Sequence, residues 1–239
     1  MYSESIGILG GFGGYATLEF YKNFLKVFAS DNEINYPHII FDNDFTMPSR
    51  TRALLFGEKC DEIVSAMVNS IKHLCSIDVK YIVLVCGTAH YFLDDIYKIY
   101  PESKGKIIDI IETTGEYIGN QKSVFVIAAE GALEKELYNK KLEPKGISCV
   151  SPSIEEFSKL RYFIECVKKS KLNETVVDEF ILFLKNRGTN EVVLGCTEFS
   201  ALIDYCYTVA TEKQKKILNQ FTFYDPMKIV LNKLKIILN

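Results

Sequence analysis

Two stretches of the chain end alike. Ile82-Val83-Leu84-Val85-Cys86-Gly87-Thr88 and Val192-Val193-Leu194-Gly195-Cys196-Thr197-Glu198 each run from an apolar segment into a cysteine. A threonine follows one or two residues later, and a helix-like pattern after that. Inverting a tetrahedral carbon that bears an acidic hydrogen needs a base on one face and an acid on the other. Two similar groups from two similar units supply that pair, and a tuned thiol can serve as either. A strand end that runs into a helix amino terminus brings orphan N–H groups near the sulfur, which favours thiolate. Proton transfer of this kind contributes roughly 10²–10⁴-fold. The rest of the barrier must fall through fixed donors at the developing carbanion. Cys60, Cys75, Cys149, Cys166 and Cys206 lack such a context and read as small buried hydrophobes.

Other residues could hold an anion beside these thiols. Gly10-Gly11-Phe12-Gly13-Gly14 closes the first apolar strand and opens a helix. Its backbone N–H groups could approach a carboxylate. Gly11-x-Gly13-x-x-Ala16 also fits a dinucleotide fingerprint formally, with Asp42 or Asp44 near the end of the next strand. Nothing downstream resembles a hydride-transfer site. In Pro48-Ser49-Arg50-Thr51-Arg52, a guanidinium could clamp a carboxylate with two parallel hydrogen bonds, and Arg50 is the preferred candidate. A surface salt bridge is the plain alternative. His90 could tune a thiol or cap a helix turn, and Glu130 could be a first-turn helix acid.

These residues need a scaffold that brings strand ends together. Strands are expected at Ser5–Leu9, Pro37–Phe41, Tyr81–Val85, Lys106–Ile110, Ser123–Ala128, Gly146–Val150 and Glu191–Leu194. Helices are expected at Tyr15–Phe28, Glu58–Cys75, Glu130–Tyr138, Ile154–Lys168, Glu174–Asn186, Thr211–Asn219 and Pro226–Leu238. Alternating strands and helices imply parallel sheets covered by helices. Ligands of such sheets sit beyond the carboxyl ends of the strands. The expected architecture is α/β with two pseudo-symmetric lobes and the site in the cleft between them. Residues 1–100 with about 208–239 would form one lobe, and 101–207 the other.

Composition narrows the function. Of 239 residues, 48% are hydrophobic and 25% charged, enough for a full core under an ordinary surface. The net charge of −3 and the short runs Lys168–Lys169 and Lys213–Lys216 argue against a nucleic-acid surface. Those lysines read as solvated helix faces. Seven cysteines without C-x-x-C spacing or a His/Cys cluster give no metal motif. Without a leader pattern or a bilayer-length apolar run, the expected setting is cytoplasmic, with reduced thiols and no membrane partner.

Taken together, these motifs resemble the aspartate/glutamate racemase family, its aspartate racemase branch in particular. The resemblance is carried by Ile6-Gly7-Ile8-Leu9-Gly10-Gly11-Phe12-Gly13, Pro48-Ser49-Arg50-Thr51, Cys86-Gly87-Thr88-Ala89-His90, Ala128-Ala129-Glu130-Gly131 and, most specifically, Leu194-Gly195-Cys196-Thr197-Glu198. It implies two α/β lobes, no cofactor, no metal and one cysteine on each side of the substrate Cα. It also implies a small dicarboxylic amino acid as substrate, Arg50 on its side-chain carboxylate, and a homodimer. The expected catalytic pair is Cys86 and Cys196. The expected substrate contacts are Gly11, Gly13, Arg50, Gly87, Thr88, Thr197 and Glu198. The chain departs from the family at Gly87, where Asn is usual and its amide helps hold the substrate. It departs also at Phe12 and Gly14 in place of Met and Pro, and at Ala132 in place of Thr. A dicarboxylate isomerase of the same superfamily and a non-catalytic amino-acid binder are the competing readings.

Overall fold

Ser5–Leu9 (β1) is nearly continuous in apolar character because both of its faces are covered. In the computed structural model, which describes residues 2–239, it is the central strand of a three-stranded parallel sheet in the order β2-β1-β3. Its neighbours are His38–Asp42 (β2) and Tyr81–Leu84 (β3). Between them run Gly14–Val27 (α1), Arg50–Phe56 (α2) and Cys60–Ser76 (α3). One face of the sheet, with Ile6, Ile8 and Val83, packs on the aromatic stripe Phe20, Phe24 and Phe28 of α1 and its end. The other, with Ile82 and Leu84, packs on Ile63, Met67, Ile71 and Leu74 of α3. Gly7 lies so close to α3 that a Cβ there would sit 3.1 Å from the Leu74 side chain.

A 3₁₀ turn, Thr88–Phe92, and Leu93–Ile99 (α4) follow β3. The expected strand at Lys106–Ile110 shrinks to one bridge, Ile82 to Ile107. The Asp109 side chain accepts from the N–H groups of Ile111 and Glu112 and starts Ile110–Ile118 (α5) instead.

Ser123–Ile127 (β4) then begins a four-stranded parallel sheet, order β5-β4-β6-β7. It is completed by Ser148–Val150 (β5), Glu191–Leu194 (β6) and Thr222–Tyr224 (β7). Glu130–Glu134 (α6), Asn139–Leu142 (α7), Phe157–Lys168 (α8) and Glu174–Leu184 (α9) precede β6. Thr197–Val209 (α10), Glu212–Leu218 (α11) and Pro226–Ile237 (α12) complete the chain. The helix expected over Glu130–Tyr138 breaks early, with Glu136 at φ 53°. That break turns Tyr138 into the core.

The two sheets repeat one plan. In each, the first strand is central, the second lies on one side and the third on the other. The tail corrects the expected boundary. β7 pairs with β6, so residues 222–224 stay with the second sheet instead of returning to the first. Only α12 reaches back, packing its Val230, Leu231 and Leu234 into the core shared with α1 and α5. Among the described residues, no helix is long and apolar enough to cross a membrane.

Candidate active site

Each cysteine sits at the same place in its sheet. The Val85 N–H donates to the Leu9 carbonyl at 3.0 Å, and the Gly195 N–H to the Ile127 carbonyl at 2.7 Å. These are corresponding last rungs, between the end of the central strand and the residue just before the cysteine. Cys86 and Cys196 therefore leave their sheets at equivalent points, beyond the carboxyl ends of the strands. They line one cleft of about 260 Å³.

The same cleft is lined by Arg50, Gly87, Thr88, Thr197 and Glu198. Seven of the nine expected site residues thus come together. The two loop glycines do not join that wall. Gly11 is at φ +79° with its would-be Cβ 2.2 Å from the Asp44 carbonyl oxygen, so only glycine fits. Its N–H donates to Asn43 Oδ1 at 2.9 Å and is not free for a ligand. Gly13 lines an adjoining pocket with Thr197, Glu198 and Lys168. From this loop and the helix it opens, Phe12 and Ala16 face the main cleft.

Arg50 is held by backbone. Nη1 donates to the Pro48 carbonyl at 2.8 Å, Nη2 donates to the Phe12 carbonyl, and the guanidinium lies 5.0 Å from the Phe12 ring centroid. Its Nε is buried without a partner. A buried N–H with no acceptor is costly unless something takes it. Arg52 instead gives its guanidinium to Glu58 through two contacts of 2.8 Å, facing solvent.

The sequence reading missed the wall supplied by α8. Arg161, Ile164, Glu165 and Lys168 all line the cleft. Their spacing of three, four and seven residues is one helix face, and that was the available signal. Lys168, though half-exposed, also faces the cleft. Its Nζ lies 3.8 Å from Glu198. Arg161 Nε donates to Glu130 Oε2 at 3.1 Å. Four cationic and three acidic side chains border the cleft: Arg50, Arg52, Arg161 and Lys168 against Glu130, Glu165 and Glu198.

The thiol of Cys196 donates to Glu198 Oε2 at 2.8 Å, and the Thr197 hydroxyl reaches the same oxygen at 3.1 Å. Burial pushes the Cys196 thiol well above its ordinary value, and the Glu198 charge pushes it further. Cys196 is the N-cap residue of α10, where a thiolate was expected. Desolvation and the carboxylate outweigh the helix terminus, so the group is a thiol.

His90 is buried behind Cys86. Its Nε2 accepts from the Ile110 N–H at 3.3 Å, at the start of α5. The proton of the neutral ring is then on Nδ1, which donates to the Cys86 carbonyl at 2.9 Å. Burial holds His90 below the ordinary imidazole value, so the ring stays uncharged. His90 ties the Cys86 turn to α5 and makes no contact with the cleft. All seven cysteines are free. Among the described residues, no group of three or more His, Cys, Asp or Glu side chains has an arrangement that could hold a metal ion.

The sequence model of the Asp/Glu/hydantoin racemases matches residues 9–234. The chain belongs to this family. The match spans both lobes and both cysteine-bearing turns. Among family relatives, the broad-specificity amino-acid racemase RacX of Bacillus subtilis is 23% identical over 211 residues, covering 84% of this chain and 88% of RacX. A glutamate racemase of Lactobacillus acidophilus is 26% identical over 242 aligned positions, covering 93% and 81% of the two chains. Of the racemase structures, the Picrophilus torridus aspartate racemase superposes with TM-score 0.76 at 22% identity, over 97% of this chain and 94% of that one. An aspartate racemase homologue from Pyrococcus horikoshii gives 0.72 at 23%, over 98% and 99%. At these identities the superpositions establish the shared two-sheet fold.

Proposed function

We propose that this racemase-family chain inverts Cα of a dicarboxylic amino acid, aspartate or glutamate, by proton transfer between Cys86 and Cys196. The observation that carries the reading is the equivalent placement of the two thiols at one cleft, each one residue beyond the last rung of its sheet. Substrate carboxylates would lie against Arg50 and Lys168, and the ammonium group against the cleft carboxylates. Cys196 is protonated at rest and is the acid of that form. Cys86, as thiolate, takes the Cα proton while the Cys196 S–H gives its proton to the opposite face. Cys86 is then a thiol and Cys196 a thiolate. The enantiomer leaves, and the first state returns either when Cys86 loses a proton to solvent and Cys196 takes one up, or when the opposite enantiomer reacts in the reverse direction. Fixed cations and backbone N–H groups lower the energy of the carbanion between the two transfers.

Retention of both thiols favours racemisation over chemistry that needs a single cysteine. A homodimer is part of the proposal, and light scattering of the purified protein reads it. The deciding experiment incubates D- and L-aspartate and D- and L-glutamate with the protein in D₂O, without added cofactor. Loss of the Hα signal and appearance of the opposite enantiomer are expected. Cys86→Ser and Cys196→Ser should each slow both by at least about 10²-fold. Absence of exchange on all four amino acids, with turnover of maleate in a parallel arm, would assign the site to an isomerase instead.

A further inference from the structure

Behind the cleft, the two cysteine-bearing turns touch. A Cβ placed on Gly87 would lie 2.7 Å from the Gly195 carbonyl oxygen and 2.5 Å from Tyr138 Oη. A Cβ on Gly195 would lie 2.8 Å from both Ala128 Cβ and Tyr138 Cε2. Each glycine directly adjoins a thiol residue, Gly87 after Cys86 and Gly195 before Cys196. Between them stands one side chain, Tyr138, which is 2% exposed. Its hydroxyl donates to the Gly195 carbonyl at 3.0 Å.

Tyr138 is placed there by its backbone. The helix begun at Glu130 ends at Glu134, and Glu136 adopts φ 53°. The chain re-enters helix only at Asn139. The ring drops from this break toward both strand ends. The turn is anchored by the Leu142 N–H donating to the Tyr138 carbonyl at 2.9 Å. The phenol stays neutral, because burial pushes it well above its ordinary value. It therefore remains a donor.

We infer that Tyr138 is a positioning residue that fixes the spacing of the two thiols, its hydroxyl bonded to the Cys196 turn and wedged against Gly87 of the Cys86 turn. The inference rests on the two-thiol reading above. It gives the glycine at position 87 a physical cause. A side chain there and the Tyr138 hydroxyl compete for one volume, and the Gly195 carbonyl closes what is left. Two thiols must flank one carbon at once, so a small change in their separation is felt in the chemical step more than in binding.

The test is a cycle of Tyr138→Phe, Gly87→Ala and the double variant. Phe keeps the ring and its packing, and circular dichroism and the melting temperature check each fold. Tyr138→Phe should lower kcat for the racemised amino acid about ten- to hundredfold, the loss expected when reacting groups move by up to roughly 1 Å, with KM changed less than about twofold. Gly87→Ala should do the same. The double variant should lose less than the product of the two, because the Oη contact is already gone. Folded Tyr138→Phe with kcat within twofold of wild type overturns the inference.

A second arm does not use activity. Dibromobimane bridges nearby thiols, and mass spectrometry of the digest reports the Cys86–Cys196 bridge. The wild type should bridge, Gly87→Ala should bridge more slowly, and the double variant should recover part of the rate. Equal bridging in all variants, or none in the wild type, overturns the inference. Variant-dependent bridging in a protein that exchanges no Cα hydrogen removes the proposed activity and leaves the positioning role standing.

Discussion

Glu198→Gln tests which group keeps the proton on Cys196. In the wild type the Cys196 thiol donates to Glu198 Oε2 at 2.8 Å, and burial together with that charge holds the thiol protonated. Gln has nearly the same shape, removes the charge and can present an N–H to sulfur. Two unit charges about 4 Å apart interact by roughly 1–4 kcal/mol at effective dielectric constants between 80 and 20. Each 1.4 kcal/mol is about tenfold in population. The Cys196 thiolate fraction at a fixed pH should therefore rise at least about fivefold in the variant. A thiolate of lower basicity is intrinsically less nucleophilic, with a Brønsted slope of roughly 0.4–0.5, so at least about twofold of that gain survives as alkylation rate. The assay is iodoacetamide alkylation from pH 6 to 10, with the Cys196 peptide quantified by mass spectrometry. Cys149 is an internal reference, since burial pushes it up to about 12 and it should stay inert. An unchanged or slower Cys196 reaction in Glu198→Gln would refute the assignment of its proton to the carboxylate.

Three further outcomes follow from the same geometry. Arg50→Lys removes a fork held by the Pro48 and Phe12 carbonyls, and Lys cannot reproduce it. KM for the dicarboxylate should rise about tenfold while the melting temperature moves little, and an unchanged KM would take Arg50 out of the carboxylate site. His90 is held below the ordinary imidazole value by burial, so its contribution to stability is complete above about pH 6.5 and is lost as pH falls toward the folded value. His90→Asn cannot titrate and should flatten the fall in melting temperature below pH 6.5; an identical slope in both proteins would show that other groups cause it. Asp225 caps α12 by accepting from the Met227 N–H at 3.0 Å, and burial raises its carboxyl. A raised carboxyl stabilises below its unfolded pKa and loses that contribution as pH rises through the folded one. Asp225→Asn keeps the cap without the charge, so it should melt no lower than wild type at pH 7, and the gap should close below about pH 4. A drop of several degrees at pH 7 would mean that the ion pair with Lys228, 3.7 Å away, dominates.

The strands that carry the thiols were legible because both faces of a parallel sheet are buried. Within Tyr81–Leu84 and Glu191–Leu194, Ile82-Val83-Leu84 and Val192-Val193-Leu194 read as unbroken apolar runs, and the cysteines stand just past them. Arg50 and Arg52 both line the cleft, and only the fold shows that the Arg52 guanidinium is taken by Glu58. What was not legible depends on contacts distant in sequence. Lys168 shares its stretch of chain with Lys169, which pairs with Glu165 on its own helix at 2.8 Å. Only the docking of α8 over the second cysteine turn makes one of two adjacent lysines part of the cleft. Gly11 fits an anion-binding turn equally well until Asn43, 32 residues on, takes its N–H. Lys106–Ile110 has the apolar content of a strand, but the Asp109 cap diverts the chain into a helix.

The scaffold is nearly symmetric, whereas the electrostatics around the two thiols are not. The ladder rungs before Cys86 and Cys196 correspond, and so does the order of the strands beside them. Past the cysteines the two halves differ. Cys86 runs into a 3₁₀ turn whose backbone is tied by neutral His90 to α5. Cys196 opens a full α-helix, and its thiol donates a hydrogen bond to a carboxylate two residues on. A mechanism that runs in both directions needs only that the two thiols exchange roles during turnover, so equal environments are not required. It does require that the Cys196 thiolate be reachable during turnover. Lys168, 3.8 Å from Glu198, opposes the carboxylate and lowers the Cys196 thiol against burial and that charge. Its ammonium therefore makes the thiolate form of Cys196 less costly. Lys168→Gln should then slow the direction that uses Cys196 as base more than the other under single-turnover conditions, followed by solvent deuterium uptake from each enantiomer. Equal slowing in both directions would leave Lys168 as a binding cation with no part in the proton balance.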